Sequence, residues 1–72
     1  MGGRQVRREF ARRLKQLREK KHLRRQTLSE LCGLHPDAVR RYERGLASPS
    51  VEAVCALADF FGVSVDWLMG RK

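Results

Sequence analysis

The chain has 72 residues and carries 16 Lys plus Arg against 8 Asp plus Glu, a formal charge of +8. A domain of this size buries only about 60% of its unfolded surface, so a catalytic domain beside a recognition domain is excluded. The charge favours a polyanionic partner, nucleic acid before an anionic membrane surface, and no apolar run approaches the ~18 residues of a membrane span. In chain order, Met1-Gly2-Gly3 suggests myristoylation, but Val6 stands where that motif wants Ser or Thr. No charged-then-apolar leader marks secretion. The whole of 1–72 is expected to form one domain, with residues 1–5 flexible.

Val6, Phe10, Leu14 and Leu17 recur at spacings of four, four and three, which predicts an amphipathic helix from about Arg4 to about Lys21. Leu28, Leu31 and Cys32 predict a short second helix ending at Gly33. Thr27-Leu28-Ser29-Glu30 matches a capping box that would delay its start to Leu28. That leaves too few residues before Gly33, so a start near Arg25 is preferred, with Arg24 a poor cap. The third helix is expected from Pro36, favourable at a first helical position, to Arg44, with Gly45 as its stop.

Leu46-Ala47-Ser48-Pro49 reads as a loop, after which Ser50 caps a fourth helix. Val51, Val54, Cys55, Leu57, Ala58 and Phe61 give that helix a broad apolar face at the centre of the core. Gly62 ends it, and Ser64 caps a fifth, short helix with Val65, Leu68 and Met69 pointing inward. No strand alternation or repeat is visible. The fold expected is all-α, a compact five-helix domain.

Cys32 and Cys55 occupy apolar helical positions and read as reduced core residues. His22 and His35 lack zinc-finger spacing, so neither a metal nor any other cofactor is expected. No nucleophile–base pairing and no Gly-rich phosphate cradle is present, which argues against an enzyme. The basic residues crowd into the first 25 positions, and none lies between Ala47 and Gly70. A basic run is ordinarily a solvated helix face; the asymmetry here suggests an electrostatic footprint on one side.

The segment Gly33-Leu34-His35-Pro36-Asp37-Ala38-Val39-Arg40-Arg41-Tyr42-Glu43-Arg44-Gly45 reads as a turn and a short helix. Val39 and Tyr42 form its apolar seam, and Pro36, Asp37, Arg40, Arg41 and Arg44 fall largely on the other sides. A short helix with one buried edge and arginines on another, in a basic chain, has the form of a major-groove reader. Arg41 suits bidentate hydrogen bonding to guanine O6 and N7. Arg40, about 100° round the helix, suits phosphate or solvent. Asp37 suits either a cytosine amino group or the positive end of the helix. Pro36 and Ala38 offer only apolar contact, so part of any specificity would come from DNA shape.

Leu23 to Gly45 resembles the helix-turn-helix of Cro/CI-type (XRE-family) phage repressors and bacterial regulators. Arg13-Leu14-Lys15-Gln16-Leu17-Arg18 is similar to the first helix of that domain. Leu57-Ala58-Asp59-Phe60-Phe61-Gly62-Val63-Ser64-Val65-Asp66-Trp67-Leu68-Met69-Gly70 is similar to its end. The resemblance, over about residues 12 to 70, implies a lambda-repressor-like domain that binds double-stranded DNA as a homodimer. It places base contacts at Pro36, Asp37, Ala38 and Arg41, and phosphate contacts at Arg25 and Arg44. Arg25 stands where the family often has Gln, and His35 where it often has Ser or Thr; His35 is a further phosphate candidate. The family's buried ion pair maps to Arg18 and Glu43. Trp67 and Met69, with Phe61 and Val63, suggest a dimer surface.

The function expected is sequence-specific transcriptional regulation, most simply by a cytoplasmic, nucleoid-associated dimeric repressor reading a palindromic operator. The alternative is a protein-interaction module that holds a transcription component, a toxin or an anti-repressor.

Overall fold

The computed structural model describes the backbone of residues 2–71 and the side chains of residues 7–71. No side chain is described over residues 1–6, so the place expected for Val6 in the apolar seam lies outside the described side chains, while the backbone of residues 2–5, expected to be flexible, is helical. Five helices follow one another: α1 Gly2–Lys20, α2 Arg25–Leu31, α3 Ala38–Glu43, α4 Val51–Phe61 and α5 Val65–Leu68. No strand occurs among the described residues.

Phe10 and Leu14, four apart on α1, are fully buried, and Leu17 packs beside them. They meet Leu28 of α2, Val39 of α3, Val54, Leu57 and Ala58 of α4, and Leu68 of α5 in one core. Burial of each large side chain there contributes about 1.5–3 kcal/mol, which offsets the ordering of a short chain. The ring of Tyr42 meets Phe10 edge-on, with centroids 5.6 Å apart.

Helix ends follow local chemistry. α1 closes with the Leu23 amide donating to the Arg18 carbonyl and the His22 amide to the Glu19 carbonyl, at 3.2 and 3.0 Å. This double closure needs a left-handed residue after the helix, and here it is His22, at φ 56. α2 begins at Arg25 as expected, after an extended Arg24 that provides no side-chain cap. Ser50 Oγ accepts the Ala53 amide and Ser64 Oγ accepts the Trp67 amide, so both serines cap as expected.

Three expectations need correction. α3 starts at Ala38, two residues later than Pro36, and ends at Glu43. The His35 carbonyl accepts the Ala38 amide and His35 Nδ1 accepts the Asp37 amide, at 2.9 and 3.0 Å. Those bonds make residues 35–38 a turn rather than a helical first turn. On α4 the inward face is narrower than expected: Ala53, Val54, Leu57 and Ala58 are buried, while Val51 is 77% exposed and Cys55 is exposed. Val51 and Cys55, four apart, lie on the outer side of a helix packed on one side only. Leu31, the last residue of α2, is likewise exposed.

The C-terminal end of the fold touches its beginning. A Cβ built on Gly70 would lie 2.6 Å from Glu9 Cβ, so only glycine allows this approach of the chain to α1. Arg13 completes the junction by donating from Nη1 to the Trp67 carbonyl while its guanidinium stacks 4.7 Å above the Trp67 ring.

Candidate nucleic-acid interface

α2 and α3 pack on each other, and α1 packs on α3. The α2–α3 angle is pinned by one hydroxyl. Ser29, fully buried, donates from Oγ to the Arg25 carbonyl at 2.9 Å and accepts the Val39 amide at 3.0 Å. The amide of Val39, near the start of α3, has no partner within its own helix; Ser29 supplies one. Between the helices Gly33 adopts φ 72, a left-handed turn that glycine enters without steric cost.

A charged pair fixes α3 from the other side. Arg18 of α1 donates from Nε to Glu43 Oε2 at 2.6 Å and from Nη2 to Oε1 at 3.1 Å. Its Nη1 donates to the Leu23 carbonyl at 2.7 Å. The Glu43 side chain is 4% exposed, so both carboxylate oxygens are satisfied out of water. The Glu43 hydrogen bonds hold the Arg18 guanidinium above the ordinary arginine range.

On the outer edge of α3, Arg41 is exposed and makes no side-chain hydrogen bond among the described residues. Arg40 does not share that freedom. It donates from Nε to Asp37 Oδ1 at 2.7 Å and from Nη2 to Oδ2 at 3.2 Å, a bidentate pair. The Arg40 hydrogen bonds lower the Asp37 carboxyl below the usual carboxylate range. Asp37 thus faces Arg40 instead of capping α3, where it makes no side-chain cap bond.

Arg25, Pro36, Asp37 and Arg40 line one cleft of about 520 Å³, together with Arg18 and Arg24. Arg44 lies outside it, exposed at the end of α3. Because His35 Nδ1 is an acceptor, a neutral ring carries its proton on Nε2, where it can donate outward. Ala38 is half-buried, so its methyl offers a small apolar contact at the start of the helix. Phe61, Val63, Trp67 and Met69 are half-buried against their own core. Among the described residues, the exposed large apolar side chains are Leu31, Leu46, Val51 and Phe60.

Two contributors were missed from the sequence. Ser29 was hidden inside an apparent capping box, and Arg13 reaches a carbonyl 54 residues away, for which no local signal exists.

Residues 14–68, from the middle of α1 to the end of α5, match the family described as Helix-turn-helix. The chain belongs to this helix-turn-helix family. Its five helices and its α2–turn–α3 unit agree with the Cro/CI-type resemblance in the sequence. The helix-turn-helix chain is similar to "HTH-type transcriptional regulator AnsR" of Bacillus subtilis (strain 168), 40% identical over 60 residues, which cover 83% of this chain and 52% of AnsR. It is also similar to "HTH-type transcriptional activator BcrR" of Enterococcus faecalis, 33% identical over 64 residues, which cover 89% of this chain and 31% of BcrR. The chain therefore spans about half the length of the first relative and about a third of the second. No solved structure gives a significant match. Among the described residues no helix is long and apolar enough to cross a membrane, and no group of three His, Cys, Asp or Glu is placed to hold a metal ion.

Proposed function

We propose that this helix-turn-helix domain is a sequence-specific, double-stranded-DNA-binding transcriptional regulator, acting as a dimeric repressor on a palindromic operator. The observation that carries the reading is α3 itself. It is braced behind by Ser29 and by Arg18–Glu43, and it presents the unpaired guanidinium of Arg41 at its outer edge. A rigid helix with an uncommitted arginine fits bidentate guanine recognition in the major groove, for about 1–3 kcal/mol of discrimination. Pro36 and Ala38 add apolar contact beside it. Arg25, Arg44 and His35 Nε2 serve phosphates, while Arg40 serves Asp37.

The names of AnsR and BcrR support a regulatory role; BcrR is called an activator, and AnsR simply a regulator. Repression is the simplest outcome for a domain whose binding occludes a promoter. Two copies joined through the end bearing Phe61, Val63, Trp67 and Met69 would set two α3 helices about 34 Å apart, one turn of DNA.

Selection of bound duplexes from a random pool tests the reading. A palindromic consensus with a guanine whose preference disappears in Arg41→Ala is expected. Equal and weak binding of every duplex overturns it.

A further inference from the structure

The first 13 residues lie outside the matched helix-turn-helix region, yet part of them closes a second cleft beside α3. This cleft, of about 370 Å³, is lined by Arg7, Arg8 and Ala11 of α1 and by Glu43, Arg44 and Gly45 at the end of α3. We propose that it seats a backbone phosphate of duplex DNA, held by Arg7 and Arg8 together with Arg44. The proposal rests on the DNA-binding reading above and extends the interface onto α1.

The charge of the cleft is one-sided. Its only carboxylate, Glu43, has both oxygens engaged by Arg18 and is nearly excluded from solvent. The neighbouring carboxylate of α1, Glu9, faces Arg12 and Arg13 instead. Three guanidinium groups therefore share the cleft without a competing acid among the described residues. Arg7 and Arg8 precede Ala11 by four and three residues, so all three share one side of α1. That side faces away from solvent only at Ala11, which is half-buried, while both arginines are exposed.

The ligand follows from the neighbours. Guanidinium forks match the oxygens of a phosphate. Arg44 directly follows α3, so a helix seated in a groove brings its end to the flanking sugar–phosphate strand. Arg7 and Arg8 are on the wall of the same cleft and meet that strand with it. A lone phosphate or an anionic vesicle would share the charge but not the dependence on a seated α3.

The test is binding of the selected duplex and of a random duplex, followed by fluorescence anisotropy from about 50 to 200 mM salt. R7Q/R8Q is expected to reduce the slope of log affinity against log salt by about 0.9, the contribution of the one phosphate seated there, weakening both duplexes alike. R7K/R8K is expected to retain the slope, because lysine keeps the charge. Ala11→Glu places a carboxylate in the cleft without removing an arginine and is expected to weaken both duplexes alike. An unchanged slope in R7Q/R8Q, or unchanged affinity in Ala11→Glu, overturns the phosphate site and leaves the regulator reading standing. Wild-type protein that binds no duplex at the lowest salt overturns both, as does binding of phosphatidylserine vesicles in preference to DNA.

Discussion

Arg18 and Glu43 lie 25 residues apart in the chain and join through two hydrogen bonds, the shorter of 2.6 Å, at a place where Glu43 is almost sealed from water. Removing one partner strands the other. Arg18→Ala is expected to cost about 3–5 kcal/mol, a large share of the stability of a domain this small, which is typically about 0.05–0.15 kcal/mol per residue. Urea denaturation checks this. An Arg18→Met, Glu43→Leu double variant should recover most of the loss, since neither charge then remains buried alone.

Ser29→Ala removes the hydroxyl that accepts the Val39 amide. The amide is left buried without a partner, at a cost of about 1–3 kcal/mol. The expected signature is a lower melting temperature together with faster hydrogen exchange at Val39. Equal exchange at that amide in both proteins would show that the hydroxyl does not hold α3.

Asp37 and Arg40 form an exposed pair, and the hydrogen bonds from Arg40 lower the Asp37 carboxyl. A lowered carboxyl stabilises the fold above the ordinary Asp value and loses that contribution as pH falls through its own lower value. The window is therefore below about pH 4. Carboxyl ¹³C titration should give a depressed midpoint for Asp37 that returns upward in Arg40→Gln. Asp37→Asn should release Arg40 for phosphate, adding about 0.9 to the salt slope of duplex binding.

His22 terminates α1 at φ 56, a conformation that costs a side-chain-bearing residue about 1–2 kcal/mol. His22→Gly should relieve about 1 kcal/mol and raise the melting temperature by about 4–8 °C. A calorimetric scan would decide it; a lower melting temperature would mean that the imidazole contributes more than the backbone strain costs.

Most of the helix order was legible because its signals are local. The spacing of Phe10, Leu14 and Leu17 marks α1, and Ser50, Ser64 and Gly62 mark the ends of α4 and the start of α5. What escaped depends on partners distant in sequence or on side-chain geometry. The imidazole of His35 converts Pro36 and Asp37 into a turn, although Pro36 alone favours a helix start. The apolar pattern of α4 shows which residues dislike water but not where its neighbours stop, so Val51 and Cys55 read as core. At the interface, Arg40 and Arg41 are identical in composition. Only the position of the Asp37 carboxylate separates the committed arginine from the uncommitted one.

The uneven placement of cations along the five helices has a kinetic consequence. α4 and α5, packed on each other, hold Glu52, Asp59 and Asp66 and no Lys or Arg. Residues 4–44 hold 14 of the 16 Lys and Arg, so the charge of this molecule of 32 × 24 × 21 Å is uneven as well as in excess. Near a polyanion it experiences a torque before it makes any contact, and turns its α1–α3 side forward while still about a Debye length away, roughly 8 Å at physiological salt. Orientation is then settled during approach, and fewer encounters are wasted on the acidic end.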